Sequence, residues 1–471
     1  MKTGMNVMEN AKKVKSKNSM DMLHGPLLGK IFFFALPLAI SAVLQQLFNA
    51  ADIAVVGRFA SPEAMAAVGS NVSVIGLLVN LFIGLSVGAN VVIANLIGAG
   101  QKDKIRDAVH TIMALAIVMG LILTGVGIAL SPAILGLMGA PEDVMNLAVL
   151  YLRVYFLGMP VILLYNYGAA ILRSKGDSRR PLFALALSGV INIGLNLLFV
   201  VVFHLHVIGV ALATVLSNTV GAAMIVYFLA TEEEIFRFSF RRLRIHKTYL
   251  AYVLRIGLPA GVQGMVFSFS NVVIQSAINS FGAACIAGST AAQNFEFISY
   301  CFLNAFAQTA VTFTSQNYGA GKKERCKRVF QLTMLIGIGF DILSIGLFIL
   351  FRRELLLLFT TDPTVMEFAL ERMMHVCLLH FLIGTYEISG GCIRGMNHSL
   401  VPALISIFGT CAFRMIYVFT VLPQNRTFGT LMNIYPISWI LTGTLMIIAY
   451  FIIRRKAFRL IKSDEEKDSV L

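Results

Sequence analysis

Charge is scarce in this sequence. Only 13% of its 471 residues are Asp, Glu, Lys or Arg, about half the share found in a soluble domain. The six cysteines, Cys285, Cys301, Cys326, Cys377, Cys392 and Cys411, form no CxxC pair and lie mostly in apolar runs. A disulfide framework or zinc site is therefore not expected, and they read as small core residues. No GxxxxGK[ST] motif occurs, so ATP is not expected to drive the protein. A basic stripe with interleaved aromatics is also missing, despite a net charge of +14, which excludes nucleic acid as an expected partner. Nothing in the chain asks for an organic cofactor or a resident metal.

Apolar length is abundant. The chain is 57% hydrophobic with a mean hydropathy of +0.80. Twelve runs are apolar enough to cross a bilayer, which takes about 20 residues each. In the first half they lie near 31–57, 63–97, 106–130, 144–171, 181–203 and 208–230. In the second they lie near 249–280, 284–317, 329–351, 365–393, 400–422 and 429–453. The organisation expected is a cytoplasmic segment 1–30, a six-helix lobe 31–230, a linker 231–247, a second lobe 248–453 and a tail 454–471. The first apolar run is full length after a polar, lysine-rich start, so it is expected to stay as an uncleaved helix. Of the 38 Lys and Arg, 30 fall on one side of this topology. By the positive-inside rule that side, with both termini, is expected to face the cytoplasm.

The halves repeat. LIGAG at 96–100 recurs as NYGAG at 317–321, and ILRSKGDSRRP at 171–181 as CIRGMNHSLVP at 392–402. ALP at 35–37 recurs as GLP at 257–259. Near-constant offsets mark an internal duplication. Six crossings per half give both halves the same orientation, related by an axis along the membrane normal. The fold class expected is an all-α membrane protein of twelve transmembrane helices in two such six-helix bundles.

Several polar residues lie inside the spans. Asp52 is a carboxylate in the first, with Asn49 and Gln45 three and seven residues before it on one helix face. An acid at this depth costs on the order of 3 kcal/mol and normally faces a partner or a water-filled pathway. Pro37 in the same helix removes a backbone hydrogen bond and permits a bend, as does Pro259 at the matching place in the second half. Asn192 and Asn196 share a face of the fifth span; they serve either a binding site or hydrogen bonding between helices. The second half lacks a carboxylate at the repeat position of Asp52. It offers Glu296, Glu387 and the cation Arg414 instead. A Glu387–Arg414 ion pair would lower the cost of both, and Glu296 is a candidate for lining a cavity. Asp341, His375 and His380 have no assigned role, and His204 and His206 lack the neighbours a metal would need.

These residues and motifs resemble the multidrug and toxic compound extrusion (MATE) family over about residues 25–455. The likeness is carried by ALP at 35–37, ADIAVVGRFASPEAMAAVG at 51–69 and GLSVGANVVIANLIGAGQKDK at 84–104. ILRSKGDSRRPL at 171–182 and TSQNYGAGKKERCKR at 314–328 carry it further. The resemblance implies a twelve-helix exporter of drug-like amphipathic, often cationic, compounds, exchanging them for protons or sodium by alternating access. It matches Asp52 and Gln45 to the family's first-helix polar residues and Asn192 to its fifth-helix asparagine. Asn196 stands where many members have aspartate, and QGMVFSFSNVV at 263–273 lacks the glutamate of another branch. A lipid-linked precursor flippase is the alternative, and an intramembrane enzyme would need a catalytic dyad that the spans do not show. With both lobes in one chain, the protein is expected to act as a monomer within the bilayer.

Overall fold

A computed structural model describes residues 19–59, 62–137 and 142–461. Residues 1–18 of the expected N-terminal segment and 462–471 of the tail lie outside the described residues. The described residues form helices and connecting turns, which suits a bilayer, where each backbone amide must find a partner within its own segment.

The first half contains α1 (Leu27–Phe59), α2 (Pro62–Gly98), α3 (Lys102–Leu137), α4 (Glu142–Leu157), α5 (Met159–Ser174), α6 (Arg179–Asn196) and α7 (His206–Ala230). The second has α8 (Lys247–Asn279), α9 (Ala283–Gly319), α10 (Lys323–Leu350), α11 (Arg352–Leu356), α12 (Pro363–His375) and α13 (Leu382–Gly395). It continues with α14 (Leu400–Ser406), α15 (Phe413–Thr420), α16 (Phe428–Met432) and α17 (Ile434–Arg459). Nine spans among the described residues are long and apolar enough to cross a membrane. The bent pairs α4–α5, at 46°, and α12–α13, at 43°, bring eleven. The twelfth is α9, diluted in hydropathy by buried residues such as Glu296, Thr309, Gln316 and Asn317. Its polar side chains face protein, so the helix tolerates them.

The bend between α4 and α5 has a local cause. Pro160 has no amide to give the carbonyl of Phe156, one turn back, and Thr124 Oγ donates to that carbonyl at 2.8 Å instead. By contrast α1 and α8 are each continuous 33-residue helices through Pro37 and Pro259. The two prolines therefore sit in unbroken helices here.

Each lobe has its own apolar core, but α1 and α8 cross between them. Ile31, Phe34 and Leu38 of α1 pack in the second-lobe core, while Val55 and Val56 join the first. In mirror fashion Val253 and Ile256 of α8 join the first core, while Ile274 and Ile278 join the second. The lobe boundary expected at 31–230 is thus shared by two exchanged half-helices. The linker 231–247 is docked and not free: Phe236 and Phe238 are buried in the first core, and His246 N donates to Thr111 Oγ at 3.1 Å.

The basic end of the bundle is closed. LIGAG and NYGAG end their helices as expected, with Gly100 and Gly321 at φ of 68° and 74°, a left-handed turn that favours glycine. Beside them Gln316 Nε2 donates across the lobes to the Ser174 carbonyl at 2.6 Å, and Asn95 Nδ2 to Asn397 Oδ1 at 3.1 Å. Closer to the middle, α2 and α8 meet backbone to backbone through glycine. A Cβ on Gly84 would lie 2.3 Å from Gly261 Cα, and one on Gly88 would lie 2.3 Å from the Val253 carbonyl.

Candidate functional site

The expected residues divide between two places. The first is within the first lobe. There α1 brings Asp52 against α6, and Asn196 Nδ2 donates to Asp52 Oδ1 at 2.5 Å. The same Nδ2 also reaches Asn192 Oδ1 at 3.3 Å. Asn192 and Asn196 are buried, and Asp52 is half-buried. The helical register changes immediately after Asn196, where Leu197–Val202 widens into a π-helical turn, a deviation frequent at functional sites. This cluster can hold a cation or a proton against one carboxylate, with an amide to orient it. Asn49, expected on the same face as Asp52, is exposed.

The second place is a cavity of about 230 Å³ between the lobes, and Gln45 lines it. Its other polar walls come from both halves: Asn90 of α2, Asn166 and Arg173 of α5, Gln308 of α9, and Glu387 and Arg394 of α13. Gln45 and Asp52 therefore serve different sites, although seven residues apart on one helix. Glu387 and Arg394 lie two helical turns apart on one face of α13. Their repeat partners are Asn166 and Arg173. The cavity is thus built from matched positions of the two halves.

Two second-lobe expectations are corrected. Arg414 does not pair with Glu387. Its Nε donates to Ser438 Oγ at 3.0 Å, and its guanidinium stacks over Tyr435 at 4.8 Å and Phe267 at 5.6 Å. Glu387 faces the lobe interface from α13, while Arg414 turns into the second lobe. Nor does Glu296 line the cavity: Arg372 grips it with two hydrogen bonds, Nε to Oε1 at 2.7 Å and Nη2 to Oε2 at 2.8 Å. Hydropathy along the chain marks depth and leaves open which face each charge takes. The remaining groups are also satisfied. Asp341 accepts from Ser299 Oγ at 2.7 Å and contacts His380 Nδ1 at 3.0 Å, and His375 Nδ1 contacts Asn433 Oδ1 at 2.8 Å.

Sequence reasoning placed Arg173 and Arg394 in basic loops. They project into the cavity instead. Their recurrence at one repeat offset, between halves that otherwise differ widely, was the available signal.

Comparison with known proteins agrees with this architecture. The MatE family pattern matches the chain twice, over residues 37–198 and 259–420, beginning at the two helix prolines. Probable multidrug resistance protein YoeA of Bacillus subtilis (strain 168) is 29% identical over 384 residues, spanning 80% of this chain and 82% of that protein. Probable multidrug resistance protein NorM of Thermotoga maritima is 29% identical over 391 residues, spanning 81% and 82%. A solved structure of MATE in complex with MaL6 superposes with a TM-score of 0.88 at 22% identity, over 94% of this chain and 100% of that one. That likeness shows a shared twelve-helix, two-lobe fold. The chain belongs to the MatE family of membrane transport proteins.

Proposed function

We propose that this protein is a secondary active multidrug exporter that exchanges protons or sodium for drug-like amphipathic compounds, cations among them. The observation that carries the reading is the Asp52–Asn196 contact, an intramembrane acid held by a neutral amide and by no cation among the described residues. A carboxylate at this depth needs a proton or a metal cation when water leaves its surroundings. Asp52 would load a coupling ion with the basic end closed, as here, and release it when that end opens. The relatives' names, both multidrug resistance proteins, support the same reading. The lysine and arginine bias supports a cytoplasmic basic end, and with that end closed the cycle proposed here takes this arrangement as its outward-facing state. One chain holds both lobes, and the cycle needs no second copy.

The test is export of ethidium by reconstituted vesicles with proton and sodium gradients imposed separately. The ion whose gradient drives export is the coupling ion. Asp52→Asn should bind ethidium but lose gradient-driven export by about tenfold or more. Full gradient-driven export in that variant defeats the coupling role.

A further inference from the structure

The cavity between the lobes carries an excess of positive charge. Its charged walls are Arg173, Arg394 and Glu387. Each guanidinium has five N–H donors, and the protein uses few of them. Arg173 Nη1 donates to Gln308 Oε1 at 3.2 Å, and Arg394 Nη2 to Gln263 Oε1 at 2.8 Å. Both Nε atoms are buried with no hydrogen-bond partner among the described residues. Neither arginine forms an ion pair there, whereas the more deeply buried Arg372 has its carboxylate.

That contrast is the argument. A buried arginine is ordinarily matched by a carboxylate, because an unpaired charge and its unfilled donors are costly at low dielectric. Arg372 obeys the rule, and Arg414, without a carboxylate, lies over the rings of Tyr435 and Phe267. The half-buried Arg173 and Arg394 have neither a paired carboxylate nor a ring among the described residues, at equivalent repeat positions and in one cavity. Their forks are suited to a planar carboxylate or to a phosphate. Leu38, Ile83, Val87, Leu185 and Val311 give the same cavity apolar walls, so the matching ligand has an apolar body as well. Glu387, on the same cavity wall, can pair with an amino group on that ligand.

We propose that the inter-lobe cavity is a binding site for the carboxylate or phosphate of an amphiphile, held by Arg173 and Arg394, and that acidic or zwitterionic amphiphiles are therefore among the compounds carried. The binding site stands on geometry alone. The statement that its occupant is cargo rests on the export reading above.

Two probes with one fluorophore test it, dansylglycine with a carboxylate and dansylcadaverine with an ammonium. Each is titrated by fluorescence enhancement into the full chain in phosphatidylcholine nanodiscs. Dansylglycine is expected to bind about tenfold tighter than dansylcadaverine. Arg173→Gln and Arg394→Gln should each weaken dansylglycine by about fivefold or more. Glu387→Gln should tighten it, a gain that misfolding does not produce. Anionic phosphatidylglycerol in the disc, if it displaces dansylglycine from the parent but not from the arginine variants, identifies a lipid headgroup as the occupant of the same anion site. Equal affinity for the two probes, arginine variants that bind dansylglycine normally, or weaker binding in Glu387→Gln overturns the proposal. A protein that binds dansylglycine as expected but exports nothing keeps the site and sinks the export reading. One that exports ethidium but ignores dansylglycine does the reverse.

Discussion

Asn90 and Thr312 stand 222 residues apart, one more than the 221 that relates α2 to α9, and hydrogen bond one another: Asn90 Nδ2 to Thr312 Oγ1 at 3.1 Å, and Thr312 Oγ1 to Asn90 Oδ1 at 3.2 Å. Residues so near to equivalence can touch only close to the axis that relates the halves. The pseudo-twofold axis therefore passes between α2 and α9, beside the cavity that Asn90 lines. The duplicated chain places its shared cavity on its own symmetry axis, as parallel repeats are expected to do.

The Asp52 cluster distinguishes its two asparagines. Among the described residues only Asn196 donates to the carboxylate, and Asn192 accepts from Asn196. Asn196→Leu should therefore reduce gradient-driven ethidium export more than Asn192→Leu, by about tenfold against a few-fold. Initial export rates in matched vesicles decide it, and equal losses would refute an individual role for Asn196.

Glycine along α2 and α8 is a steric requirement. Gly84→Ala puts a methyl group 2.3 Å from backbone that has no room to yield, and Gly257→Ala meets the Leu85 carbonyl at 2.6 Å. Each should lower the thermal midpoint by several degrees, as overpacking costs about 1–3 kcal/mol. Gly125→Ala, with open space at its Cβ, should not. A seam variant as stable as Gly125→Ala would show that the helices do not approach this closely.

The Glu296–Arg372 pair is structural. Removing one partner leaves a buried charge alone, so Glu296→Gln should cost about 3–5 kcal/mol. Adding Arg372→Met should restore much of that loss, because the unpaired guanidinium goes with it. Thermal unfolding of the two variants in detergent reads the difference. If the double variant is no more stable than the single, the coupling is absent.

Glu232 predicts a pH dependence. It sits in the linker, bonded to Lys175 and Arg180, which also holds Asp177. Burial pushes its carboxyl up, but the hydrogen bonds and charges of Lys175 and Arg180 outweigh this and hold it below the ordinary 4.5. A lowered folded value stabilises the protein above the ordinary value, and that stability is lost as pH falls through the lowered one. The parent should exceed Glu232→Gln in thermal stability near neutral pH, and the gap should close as pH falls through and below the ordinary 4.5. A gap that stays constant over that fall contradicts the linkage.

Twelve spans, two repeats and the intramembrane acid at Asp52 were legible in one dimension. Hydrophobic length is set by bilayer thickness, and duplication leaves a constant offset. Even the polar twelfth span, α9, was visible as an apolar run at 284–317. The partner of Asp52 was half visible: the spacing of Asn192 and Asn196 showed a shared face, and only packing showed that Asn196 alone turns to α1.

Charge pairing was not legible. Glu387 with Arg414 looked plausible by depth, yet Glu296 took Arg372 and Arg414 took Ser438. Arg173 and Arg394 looked like loop cations and are cavity walls. The sequence by itself determined how many helices there are, how deep each polar group lies and that the two halves are alike. The tertiary structure alone decided which face each charge presents and to whom, because a helix repeats every 3.6 residues and its rotation is set by neighbours hundreds of residues away.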